Sequence, residues 1–131
     1  MSAESERPVS LFIVEDDPHF RETFADAMEL RGVKVTAAGS GFEGLSAMQN
    51  EKPDVIVLDV QLPDIHGFDL AKRLKRIDSL RKTPIVFVSA SAAYSDPRDR
   101  VEGYLSGASV FLPKPISVDK LWSEIEPLLA A

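Results

Sequence analysis

Leu11-Phe12-Ile13-Val14-Glu15-Asp16-Asp17 is an apolar run that ends abruptly in three acids, and similar punctuation recurs along the chain. Val55-Ile56-Val57-Leu58 is followed by Asp59, Ile85-Val86-Phe87-Val88 by Ser89, and Val110-Phe111-Leu112-Pro113 by Lys114. Short, continuous apolar runs fit strands buried on both faces of a parallel sheet. If the four lie parallel in one sheet, the residues after them fall at one edge, where open α/β sheets bind ligands. An acid pair, a third acid, a hydroxyl and a lysine gathered there describe a magnesium-dependent phosphoryl site.

Between these runs the spacing predicts helices. Asp17-Pro18 opens the first, with Asp17 as N-cap and Pro18 at the first helical position. Phe20, Phe24, Ala27 and Met28 mark its apolar face, which stops at Arg31-Gly32. Val33 to Ala37 alternates as a short strand. Phe42, Leu45 and Met48 line a second helix closed by Lys52-Pro53, and Phe68, Ala71 and Leu74 a third. Val101, Tyr104, Leu105 and Ala108 suit a fourth helix ending at Gly107, and Ser109 to Leu112 a fifth strand. Val118, Leu121, Trp122, Ile125 and Leu129 complete a fifth helix.

Five strands alternating with five helices predict an α/β fold. The expected architecture is a doubly wound, five-stranded parallel sheet in the order 2-1-3-4-5, with a flavodoxin-like topology. That order sets the ends of strands one and three side by side, and so brings Asp16 close to Asp59. Crowded carboxylates resist ionisation unless a cation sits between them. Magnesium suits such a site, because it accepts a few carboxylates while keeping water and phosphate oxygens.

Composition narrows the function classes. With 131 residues, 44% hydrophobic and 27% charged, the chain can bury one core and little more. It has no cysteine, which removes thiolate catalysis and disulfides and suits a reducing cytoplasm. No apolar stretch approaches the roughly 20 residues that span a bilayer, so no membrane partner is expected. A net charge of −6 disfavours a nucleic-acid surface, which depends on clustered cations. Met1 to Val9 lack the apolar core of a signal peptide and read as a disordered tail, residues 1–9.

Four motifs in this order resemble those of the receiver domain of bacterial two-component response regulators, the chemotaxis regulators included. They are Ile13-Val14-Glu15-Asp16-Asp17-Pro18, Val57-Leu58-Asp59-Val60-Gln61-Leu62-Pro63-Asp64-Ile65-His66-Gly67, Phe87-Val88-Ser89-Ala90 and Phe111-Leu112-Pro113-Lys114-Pro115-Ile116. The resemblance runs from about Ser10 to Leu129, which makes residues 10–131 one receiver domain.

The resemblance implies a role for each residue. Asp59 is the phosphoacceptor, taking a phosphoryl group from a histidine kinase, a phosphotransfer protein or a small phosphodonor. Glu15, Asp16, Asp59 and the main-chain carbonyl of Gln61 hold Mg2+. Lys114 pairs with Asp59 and then with a phosphoryl oxygen, Ser89 donates its hydroxyl to another, and Ala90 leaves room. The Lys114-Pro115 bond is cis. Gln61 and Ser91 flank the path of the attacking water and tune the lifetime of the aspartyl phosphate. Ser89 and Phe111 form the switch, read out by a downstream protein on the face of the fourth helix, fifth strand and fifth helix. No enzymatic activity is implied beyond phosphorylation and dephosphorylation at Asp59. The expected molecule is a cytoplasmic, stand-alone monomer, or a weak phosphorylation-dependent dimer. Two departures stand out: the stretch from Ser91 to Pro97 is longer than usual, and Phe111 lacks the hydroxyl of a tyrosine.

Simpler readings remain for individual residues. Asp17 is a helix cap, Trp122 a packing residue, and His19 and His66 are surface or local hydrogen-bonding groups without ligand spacing. A haloacid-dehalogenase-type phosphatase would want an acid two residues beyond the nucleophile, where Gln61 stands. A flavodoxin would want a Ser/Thr-rich phosphate loop in place of Glu15-Asp16-Asp17. The remaining alternative is a phosphorylation-independent interaction module with a receiver fold.

Overall fold

The computed structural model describes residues 8–90, 101 and 105–129. Two neighbouring strands inside the sheet, β3 (Val55–Asp59) and β4 (Ile85–Ser89), are buried from end to end. β1 (Ser10–Val14) lies on the other side of β3, β2 (Lys34–Ala38) is the outer strand beyond β1, and β5 (Ala108–Pro113) closes the opposite edge. All pairings are parallel, in the order β2-β1-β3-β4-β5. Register follows the apolar runs: Val57 stands opposite Ile13 on one side and Val86 on the other.

Successive side chains on a strand point to opposite faces, so each run feeds two cores. Phe12, Val14, Ile56, Leu58 and Phe87 pack under α2 (Gly41–Met48) and α3 (Gly67–Lys75). Leu11, Ile13, Val57, Val86 and Val88 pack under α1 (Pro18–Glu29) and α4 (Val118–Leu129), meeting Phe24, Met28, Leu121 and Ile125. Burying each of these larger side chains contributes about 1.5–3 kcal/mol. Truncating one such as Phe87 to alanine would cost about 3–5 kcal/mol.

α1 begins as the sequence predicts. Asp17 accepts the His19 N–H at 3.0 Å, and Pro18 opens the helix. It ends in Gly32, whose φ of +81° few side chains tolerate. His66 caps α3 through its Nδ1, which accepts the Phe68 N–H at 3.1 Å. Trp122 is half-buried against the second core with the Arg31 guanidinium 6.0 Å from its ring centre.

Four helices and one 3-10 turn (Asp78–Leu80) lie among the described residues. Of the predicted fourth helix, Val101 and Leu105 are helical but exposed, 57% and 80%, so they do not face the core. Residues 102–104, with Tyr104, lie outside the described residues. Ala108, assigned there by its spacing, belongs instead to β5, where it pairs with Ile85. Gly107, at φ +115°, makes the turn between the two. Phe42 also leaves the predicted apolar face of α2: it is 46% exposed and covered by Arg73, whose guanidinium stands 5.7 Å from the ring centre. Most of the expected tail, and the stretch from Ser91 to Pro97, lie outside the described residues. Val9 does not behave as tail: it packs on the second core and its carbonyl accepts the Lys34 N–H at 2.8 Å.

Candidate acidic site at the sheet edge

The parallel register delivers the predicted residues to one edge. β1 ends at Val14, level with Ala38 of β2 and Leu58 of β3, so the chain leaves the sheet with Glu15 beside Asp59. The Glu15 N–H donates to the Ala38 carbonyl at 3.0 Å, which fixes the turn. Asp59 ends β3 opposite Val88, and Ser89 ends β4 opposite Pro113 of β5. The Lys114 N–H then donates to the Ser89 carbonyl at 2.8 Å. Lys114-Pro115 is cis.

Carboxylate oxygens of Glu15, Asp16 and Asp59 all come within 4.8 Å of one another. Glu15 and Asp59 are buried, Asp16 is exposed. The Lys114 ammonium reaches into this group and bonds Glu15 Oε1, with Asp59 Oδ2 at 3.5 Å. Its closer partner is therefore Glu15 rather than Asp59, the partner that the resemblance implies. The other Asp59 oxygen, Oδ1, accepts the Gln61 N–H at 3.0 Å. Ser89 is buried, while Ala90 is exposed and lines a cavity of about 490 Å³ with Phe20, Lys114, Pro115 and Ile116. Phe111 is half-buried beneath the site, its ring 5.3 Å from Phe87 and 5.9 Å from Phe68. Gln61 is exposed, and Ser91 lies outside the described residues.

Two buried acids share one ammonium, and the electrostatics follow. Burial pushes the Glu15 carboxyl up to about 7, helped by a hydrogen bond with Asp59 and by its charge, and opposed by Lys114. Burial also works against the charged form of Lys114. The hydrogen bond to Glu15 and the two carboxylate charges outweigh it, so the ammonium is held above the usual lysine value.

Three residues support the site in ways that the sequence reading did not assign to them. Arg21 Nη1 donates to the Glu15 carbonyl at 2.8 Å and braces the first turn. Phe20 places its ring centre 4.6 Å from Lys114 Nζ. Asp64 accepts the N–H groups of Gly41 and Phe42 and ties the loop after β3 to α2. The contacts of Phe20 and Asp64 join elements that only the tertiary fold brings together.

The family profile of the response regulator receiver domain matches residues 11–126. The chain belongs to this family. The polar-differentiation response regulator DivK of Brucella anthropi is similar at 34% identity, over 93% of this chain and 97% of that protein. The transcriptional activator PfeR of Pseudomonas aeruginosa is 38% identical over 91% of this chain, which spans 37% of that protein. The chain spans between 37% and 51% of the length of three of the transcriptional regulators to which it is similar. The chemotaxis response regulator CheY4 of Vibrio cholerae superposes with a TM-score of 0.86 at 25% identity, covering 93% of this chain and 99% of that one. Among the described residues, no helix is long and apolar enough to cross a membrane.

Proposed function

We propose that this receiver domain takes a phosphoryl group on Asp59 and uses it to switch a protein-binding face. The observation that carries the reading is the convergence of Glu15, Asp16 and Asp59 with Lys114 at the ends of β1, β3 and β5. An Asp59 carboxylate oxygen attacks phosphorus in line. The bond from phosphorus to the donor, P–N for a kinase histidine or P–O for acetyl phosphate, breaks with its electron pair on the leaving group. Lys114 offsets the charge that gathers on the phosphoryl oxygens, and Ser89 donates its hydroxyl to one of them.

The donor set fits a hard divalent cation: three carboxylates within reach of one point, two of them buried and sharing a single ammonium. Glu15, Asp16 and Asp59, with the main-chain carbonyl of Gln61, would hold magnesium. Bound there, it neutralises phosphoryl charge during transfer.

The signal then leaves through β5. Ser89 and Phe111 form the two-state element, a reading supported by the half-buried Phe111 ring packing against Phe68 and Phe87 below the end of β4. The exposed Val101 and Leu105 offer apolar surface to a downstream protein. A histidine kinase or phosphotransfer protein is the upstream partner.

Intact mass after incubation with acetyl phosphate and magnesium tests the reading, with Asp59→Asn alongside. A magnesium-dependent gain of one phosphoryl group in the wild type, absent in the variant, is expected. No gain under conditions that label another receiver would leave a receiver fold used as a phosphorylation-independent interaction module.

A further inference from the structure

Phe20 stands beside the acidic site on the cavity that it shares with Ala90 and Lys114. Its ring centre is 4.6 Å from Lys114 Nζ, well inside the range at which an ammonium is attracted to an aromatic face. Phe24, one turn further along α1, is fully buried and stacks on it, with centroids 6.4 Å apart and planes 8° from parallel. The ring that meets the ammonium is therefore anchored in the core below α1.

A lysine head on a flexible four-carbon stem needs several contacts to stay in one place. Lys114 has Glu15, Asp59 and the Phe20 ring. On the role proposed for Asp59, its carboxylate charge is replaced by a phosphoryl group and its contact with the ammonium changes. The ring is neutral, and its attraction for the ammonium does not depend on the state of Asp59. We infer that Phe20 is a positioning residue for Lys114: its ring face keeps the ammonium over the buried carboxylates before and after Asp59 changes charge. The inference rests on the acceptor role proposed for Asp59. An aliphatic residue at position 20 fills the space but lacks the ring quadrupole, so the ammonium gains freedom to swing toward the cavity and water.

The experiment compares wild type, Phe20→Leu and Phe20→Tyr by two readouts. The first is the rate of aspartyl phosphate formation from acetyl phosphate with magnesium. Phe20→Leu is expected to be roughly 3- to 10-fold slower, the range for a partly desolvated cation–π contact, and Phe20→Tyr close to wild type. The second is the proton spectrum of the Lys114 Hε group, shifted upfield by the ring in wild type and Phe20→Tyr and not in Phe20→Leu. A wild-type Hε signal at the position of a solvated lysine overturns the inference, whether or not the variants fold. So does a Phe20→Leu protein that is labelled as fast as wild type. A wild type that takes no phosphoryl group sinks the role of Asp59 instead, and the Hε shift still reports whether the ring holds the lysine.

Discussion

Asp64 grips the start of α2 through Gly41. Its carboxylate oxygens accept the N–H groups of Gly41 and Phe42, each at 2.9 Å, across a sequence separation of 23 and 22 residues. A Cβ at position 41 would come within 2.2 Å of Ile65 Cγ2, so only glycine lets the loop approach this closely. The loop that carries Gln61 is thereby fastened to a neighbouring helix. Desolvation opposes the charged form of Asp64, but the backbone N–H groups of Phe42 and Gly41 outweigh it and hold the carboxyl below its usual value.

Asp64→Ala therefore removes a helix cap supplied from outside the helix. The expected loss is about 1 kcal/mol, within the usual range for an N-terminal cap. That corresponds to roughly 3–5 °C in melting temperature for a chain of this size. A carboxyl held low in the folded state stabilises above its unfolded pKa, and the gain disappears as pH falls through the folded value. The two melting curves should converge in acid. Equal melting temperatures at neutral pH would contradict the cap.

Glu15 has the opposite sign. Its carboxyl is pushed up from 4.5 to about 7, so between those values the folded chain binds more protons than the unfolded one. Stability from this group falls as pH rises through that window. Lys114, held above its usual value, stays charged throughout and adds no slope. A divalent cation favours the carboxylate and removes the penalty. Melting temperatures in EDTA should drop between about pH 5 and pH 8 more for wild type than for Glu15→Gln, and millimolar magnesium should restore the wild type at the upper end. A wild type with the same pH slope as Glu15→Gln would rule this out.

The sheet was legible because burial on both faces leaves no room for alternation: Val55 to Leu58 and Ile85 to Val88 read as apolar runs. Their edge residues were legible for the same reason, since the first polar residue after such a run marks the sheet edge. Ala108 was misread because helical spacing continues through it, whereas the positive φ of Gly107 ends the helix one residue earlier. Phe42 looked like core by period, yet its partner is the charged Arg73 from another helix. Asp64 stands within the second motif and was given no role there. Its role depends on α2 coming near the loop after β3, and no spacing within the chain encodes that distance. The same holds for the choice of Lys114 between Glu15 and Asp59.

Gly67→Ala should disturb the site through the backbone. A Cβ there would lie 2.6 Å from Val60 Cα and 2.7 Å from the Asp59 carbonyl oxygen, so main chain has to move. Gly67 N–H also donates to the Val60 carbonyl at 2.7 Å, which leaves the turn little slack. Overpacking of this kind costs about 1–3 kcal/mol. Urea titration should register that loss. The acetyl phosphate labelling rate should fall as well, because the shift begins at Asp59 itself. Unchanged stability and labelling would show that the turn yields without cost.

Asp59→Asn should be more stable than wild type in metal-free buffer, although it removes the central residue of the site. Glu15 and Asp59 side chains are 1% and 8% exposed and share one ammonium, so a carboxylate charge is left poorly compensated. Asparagine keeps an oxygen for the Gln61 N–H, and Lys114 keeps Glu15. The expected gain is about 1 kcal/mol, of the kind seen when a strained functional group is relaxed. Lys114→Met should act in the other direction, by roughly 3–5 kcal/mol, because it strands two buried acids. Their effects should not add: with Asp59 already neutral, losing the lysine strands one charge instead of two. Urea unfolding of the four proteins in EDTA closes this cycle. An Asp59→Asn protein less stable than wild type would mean that Lys114 already neutralises both carboxylates. Magnesium should narrow the gap between wild type and Asp59→Asn, because the cation supplies the charge that the acid pair lacks.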